Sequence, residues 1–105
     1  MRSFVVRIIS RKKLRQAWEK HSDWESPLRA WYKAAKEAKW EHFPGLKQTF
    51  GSADSVGSCI VFDIGGNKCR LITYINFEKQ RVYTLHVLSH AEYDNGGWKN
   101  DCDCD

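Results

Sequence analysis

The side chains best suited to chemistry fall in the second half of the chain. They are Arg70, His86, His90, Glu92 and Tyr93, with Lys68, Lys79 and Arg81 near them in sequence. Histidine exchanges protons near neutral pH, and arginine can clamp a phosphate through two hydrogen bonds. Tyrosine can stack on a base, or join in proton transfer once its ordinary acidity is perturbed. Metal-free cleavage of an RNA phosphodiester needs such groups. A proton must leave the 2′-OH, charge on the phosphate must be stabilised, and a proton must reach the departing 5′-oxygen. Each residue also has a plain structural reading. His86 suits a strand residue with a satisfied ring, and Arg70 an exposed strand residue or the partner of Asp63 or Glu92. Tyr93 suits an aromatic at the core edge, and His90 stands evenly between the two readings.

The elements that must position these residues are readable from periodicity. Phe4 to Ile9 reads as a strand rich in Val and Ile. Ser10 is a candidate N-cap for a helix to about His21, with Leu14, Ala17, Trp18 and His21 at helical spacing. Ser26-Pro27 is a second helix start, and Leu28, Trp31, Ala35 and Ala38 continue its apolar stripe to about Trp40. Pro44-Gly45 is expected to end that segment, Leu46 to Phe50 to form a short turn, and residues 51–57 a loop. From Cys59 the period becomes that of strands: Cys59 to Ile64, Lys68 to Phe77 and Val82 to Leu88. In the last, Tyr83, Leu85 and Val87 alternate against Val82, Thr84 and His86. Gly65-Gly66-Asn67 supplies a turn tolerant of positive φ. Ser89-His90-Ala91-Glu92 fits a capping box, so a short helical turn carries His90 and Tyr93. The fold class is therefore α+β: an N-terminal strand, two helices, a three-stranded antiparallel meander and a short C-terminal helical turn. The helices cover one sheet face and leave the other partly open.

With 105 residues, 42% hydrophobic and 29% charged, the chain is read as one ordinary soluble domain. No apolar run approaches the ~20 residues of a membrane span. The apolar N-terminus is interrupted by Arg7 and lacks the form of a secretory signal, so a cytoplasmic protein is expected. Residues 1–98 are expected to form the domain and 99–105 an acidic, flexible tail. Residues 1–50 hold 12 Lys/Arg against 5 Asp/Glu, and residues 51–105 hold 5 against 8. A basic body with an acidic tail suits an anionic partner such as nucleic acid, although many basic helices are only solvated faces. Arg11, Lys12, Lys13, Lys36 and Lys39 are the helical candidates for phosphate contacts. P-loop, nucleophile-elbow, zinc-finger and metalloprotease patterns are absent from the sequence. The four cysteines lack zinc-ligand spacing and are expected to be reduced and unliganded. No metal site and no cofactor are expected.

Two blocks carry a family resemblance. The run from Val61 to Ile72, with Gly66-Asn67 and Arg70, resembles the central block of HigB-like toxins of the RelE superfamily. The run from Val87 to Asp94, with His90, Glu92, Tyr93 and Asp94, resembles the C-terminal signature of the same family. The resemblance implies a RelE-like fold and a type II toxin that cleaves mRNA without a metal, typically on translating ribosomes. It also implies a cognate HigA-like antitoxin with a helix-turn-helix domain. Carried over, Arg70 corresponds to a phosphate-contacting arginine, His90 and Tyr93 to the polar pair at the scissile site, and Asn67 to the central-block asparagine. Lys68 and Arg81 are expected to help bind RNA. The competing reading is a non-catalytic RNA- or ribosome-binding module that blocks translation by occupancy. Metal chemistry through the cysteines is a third, and predicts loss of activity on chelation.

Overall fold

The computed structural model describes residues 6–38 and 40–102. In chain order it has β1 (Arg7–Ile9), α1 (Arg11–Lys20), a 3-10 turn (Ser22–Trp24), α2 (Glu25–Glu37) and α3 (Phe43–Thr49). There follow β2 (Asp54–Val56), β3 (Cys59–Ile64), β4 (Cys69–Asn76), β5 (Arg81–Leu88), α4 (His90–Asn95) and a 3-10 segment (Gly97–Cys102). The strands form one sheet in the order β1-β5-β4-β3-β2, with β1 parallel to β5 and all other pairs antiparallel. The α+β class and its element order are as expected. Phe4 and Val5 of the anticipated first strand, and Lys39, lie outside the described residues.

Local details differ from the sequence reading, each for a physical reason. Ser10 precedes α1 but makes no side-chain cap. Its φ is 72°, and only its carbonyl is used, accepting from the Lys13 N–H at 3.1 Å. α2 begins at Glu25, so Pro27 sits in the first turn, where a missing N–H forfeits no helical bond. Pro44 likewise opens a helix: it lies in the first turn of α3, whose Leu46 is fully buried. The expected loop 51–57 contains β2, which pairs Asp54–Val56 with Cys59–Val61 and gives the meander a fourth strand.

The main core lies between the helices and one sheet face. α1 contributes Leu14 and Trp18, α2 Leu28 and Trp31, and the sheet Phe62, Leu71 and Val82. Phe62 is central, meeting Trp31 at 5.3 Å and Phe50 at 5.1 Å between ring centroids. Truncating such a residue to Ala typically costs about 3–5 kcal/mol. This burial also holds α1 in place: its first turn has no acid and begins Arg11-Lys12-Lys13, against the helix dipole.

The opposite sheet face carries a second, smaller core made by Cys59, Val61, Ile72, Trp98 and Cys102. Here the cysteine expectation is corrected, because Cys59 and Cys102 form a disulfide with Cα atoms 5.1 Å apart. The chain after α4 turns back over β3, and the Ser58 N–H donates to the Cys102 carbonyl at 2.8 Å. That approach is tertiary, so cysteine spacing along the sequence does not reveal it. The flexible tail expected from residue 99 is corrected as far as Cys102, which is buried, and residues 103–105 lie outside the described residues. Cys69 is a free, buried thiol.

Candidate functional site

The β3–β4 turn sets the first half of the site. Gly65, Gly66 and Asn67 have φ of 61°, 60° and 77°. Gly65 is required twice over, because a Cβ there would also stand 3.1 Å from Pro27 of α2. The turn brings the Asn67 N–H to the Asp63 carboxylate at 2.8 Å. Arg70 pairs directly across the ladder with Asp63, and its guanidinium donates to Asp63 Oδ1 at 2.9 Å and to Asn67 Oδ1 at 3.0 Å. Two contacts leave three of the five guanidinium N–H groups for another acceptor. The structural reading of Arg70 as the partner of Asp63 is therefore correct, and the pair does not use all of the Arg70 donors.

α4 sets the second half. The anticipated capping box is present: the Ser89 N–H donates to Glu92 Oε1 at 2.9 Å, and the Glu92 N–H donates to Ser89 Oγ at 3.3 Å. Those bonds, the Ser89 backbone one foremost, hold the Glu92 carboxyl below its usual range. The cap fixes α4 so that Tyr93 lies under Arg70, with Cζ 5.3 Å from the ring centroid. Trp98 stacks on Tyr93 at 5.0 Å and 15°, and donates its Nε1–H to the Tyr93 carbonyl at 2.9 Å. Arg70, Tyr93 and Trp98 therefore form one layered stack. Trp98, the last residue of the expected domain, is not among the residues the sequence marks for the site. His90, at the first position of α4, is exposed, with Nδ1 3.8 Å from Asp94 Oδ2.

The other anticipated RNA-binding residues are dispersed. Arg81 begins β5 opposite Asn76, six residues along β4 from Arg70, which is roughly 20 Å. Lys68 turns away and donates to the Asp23 carbonyl at 3.4 Å. Arg11 and Lys36 stand over Tyr32, at 5.1 and 5.6 Å, on the helical layer. Lys12 is exposed on α1. Lys13 reaches β5 and donates to the Leu85 carbonyl at 3.0 Å. It lines a cleft of about 420 Å³ between α1 and β5, together with Lys20, His21, His86 and Glu92. Lys20 and His21 were not singled out as contacts, although their place at the end of a cationic helix is visible in the sequence.

His86 is placed otherwise than strict alternation predicts. Thr84 pairs with Thr73 but His86 pairs with Ile72, so Leu85 is an extra residue in β5. The bulge switches the faces beyond it. Val87 packs on the main core, while His86 meets Asp101 of the C-terminal segment at 2.6 Å. Thr84, just before the bulge, donates its hydroxyl to the Ser10 carbonyl at 2.7 Å.

A five-stranded sheet with helices on one face and a short C-terminal helix makes this a RelE-like α+β fold. The family model of HigB toxins, described as the RelE-like toxic component of a toxin-antitoxin system, matches residues 24–96. The chain is 30% identical over 92 residues to an mRNA interferase HigB of Escherichia coli O6:H1 (strain CFT073), covering 85% of this chain and 89% of that protein. It is equally similar, at 30% over 92 residues, to the mRNA interferase toxin HigB of Escherichia coli K12 and an mRNA interferase HigB of Shigella flexneri, covering 88% of each. The chain belongs to the HigB family of toxin-antitoxin toxins. No described helix is long and apolar enough to cross a membrane.

Proposed function

We propose that this chain is an endoribonuclease that cleaves mRNA on the ribosome, and that a HigA-like helix-turn-helix protein neutralises it in the cytoplasm. One observation carries the reading: Arg70 is fixed by Asp63 and Asn67 over the Tyr93 ring, with donors to spare. A phosphate accepting those donors lies beside the edge of the Tyr93 ring, whose phenol can contact a neighbouring nucleotide. In the reaction the 2′-oxygen loses its proton and attacks the adjacent phosphorus. The new O2′–P bond forms as the P–O5′ bond breaks, and the 5′-oxygen takes up a proton. The products are a 2′,3′-cyclic phosphate and a 5′-hydroxyl end, and no metal takes part. Arg70 stabilises the pentavalent phosphorane, Tyr93 orients the base and His90 transfers a proton. Lys13 faces the cut strand, while Arg11, Lys12 and Lys36 meet ribosomal RNA.

Primer extension on mRNA after induction tests this proposal. Discrete new 5′ ends, reproduced by the purified protein in EDTA, support it. Arg70→Ala and Tyr93→Ala should each abolish those ends and relieve growth arrest while the fold is kept. Translation arrest with intact message would instead establish a binding module that acts by occupancy.

A further inference from the structure

The bulge at Leu85 creates a second histidine–carboxylate arrangement beside the site. His86 follows the extra residue and lies on the open face, opposite Ile72 of β4. Arg70 is two residues from Ile72 and therefore on the same face, which makes Arg70 and His86 diagonal neighbours roughly 7–8 Å apart. His86 Nε2 lies 2.6 Å from Asp101 Oδ2, and the imidazole is 35% exposed. An Nε2–H donated to a carboxylate fixes the ring plane and leaves Nδ1 with its lone pair. By contrast His90, the histidine carried by the capping box, is 56% exposed and only 3.8 Å from Asp94.

Asp101 is not a stray surface acid. It precedes Cys102, which is bonded to Cys59, and its own carbonyl lies 3.8 Å from Cys59 Sγ. Trp98, three residues earlier, is anchored on Tyr93. The 3-10 segment is thus fastened on both sides of the carboxylate, and the same fastening aligns the Arg70–Tyr93 stack. Asp101 contacts the His86 ring, Arg70 is its diagonal neighbour on β4, and Lys13, Lys20, His21 and Glu92 share with His86 the lining of the cleft between α1 and β5. The Asp101 contact thus orients the far nitrogen of an imidazole whose diagonal neighbour is Arg70.

We propose that His86 is the general base of the RNA-cutting site, and that Asp101, delivered by the disulfide-anchored C-terminal segment, is the residue that positions it. The inference rests on the endoribonuclease reading above. His86 Nδ1 takes the 2′-OH proton as the O2′–P bond forms. The P–O5′ bond breaks with its electron pair on the 5′-oxygen, which takes its proton from the His90 imidazolium. Return of the first proton to His90 through water restores both rings.

The test is cleavage of ribosome-bound mRNA by the purified, oxidised protein in EDTA, comparing wild type with His86→Asn, His86→Ala, Asp101→Asn and Asp101→Glu across pH 5–9. His86→Asn should lower kcat by about 10²–10⁴-fold, with KM little changed, and remove the general-base limb of the pH profile. Added imidazole should restore cleavage to His86→Ala, which a merely structural histidine would not show. Asp101→Asn should lower kcat about tenfold, and Asp101→Glu should recover most of it. If wild type cleaves and both His86 variants keep its rate and pH limb, the His86 assignment is overturned while the nuclease reading stands. If a His86 variant loses stability, absence of imidazole rescue together with an unaltered Asp101→Asn profile overturns it equally. A wild type that leaves the message intact overturns both.

Discussion

Arg70 shows how one residue can serve both fold and site. Its pair with Asp63 leaves the two side chains only 15% and 24% exposed, so the charges are held in a partly desolvated place. Lysine keeps the charge but cannot make two planar contacts at once, so Arg70→Lys is a test of geometry apart from charge. It should retain the fold, lower RNA cleavage by at least about tenfold and leave bulk RNA binding near wild type. Filter binding and cleavage on the same preparation check this. The neighbouring residue Cys69 behaves oppositely. Burial first, then the negative charges of Asp23 and Asp63, push its thiol up to about 12, although Arg70 pulls it down. In a Cys104→Ser chain at pH 8, Cys69 should react with a thiol reagent only after unfolding. The unfolded thiol ionises near its ordinary 9.0, whereas the folded one stays protonated up to about 12. Its stabilising contribution is complete below pH 9 and is lost as pH rises through that window, which alkaline denaturation should register.

The capping box decides where α4 begins, and hence where Tyr93 points. Removing its hydroxyl with Ser89→Ala should cost about 0.5–2 kcal/mol locally and speed hydrogen exchange at the Tyr93 N–H. That N–H donates to the Ser89 carbonyl at 2.9 Å. Glu92 adds a pH dependence. Its lowered pKa means that the folded carboxylate stabilises the turn above the ordinary value of 4.5, and that this support is lost as pH falls through the folded value. Acid should therefore open α4 in wild type before the core, and Glu92→Gln should remove that early step. The box was legible because its partners are three residues apart, and the β3–β4 turn was legible because three adjacent residues tolerate positive φ. The β5 bulge was not legible, since alternation within one strand is blind to a register shift fixed by its neighbour. α3 was hidden for another reason. Proline before glycine reads as a stop, although proline is equally at home in the first turn of a new helix.

At the scale of the molecule, two long-range features govern behaviour: the clasp of the C-terminal segment and the distribution of charge. The disulfide closes a loop with a sequence separation of 43 residues, which chain-entropy arguments value at about 4 kcal/mol. Urea denaturation with and without reductant should show a loss approaching that size, and a Cys59→Ser/Cys102→Ser chain should match the reduced protein. The charge argument is spatial. Residues 1–50 carry 12 Lys/Arg against 5 Asp/Glu, yet the fold divides those cations between two surfaces. Lys13 and Lys20 line the cleft against β5, whereas Lys36 stands over Tyr32 on the helical layer. Under the proposed function, a short single-stranded RNA meets the cleft alone, and the ribosome meets the helical layer as well. Each phosphate neutralised on a single strand contributes about −0.7 to the slope of log K against log salt. Lys20→Ala should therefore flatten that slope by about 0.7 for a free oligonucleotide, and Lys36→Ala should leave it unchanged. For ribosomes, Lys36→Ala should flatten it as well. Equal effects of the two substitutions on the free oligonucleotide would mean that the cleft is not the path of the cut strand.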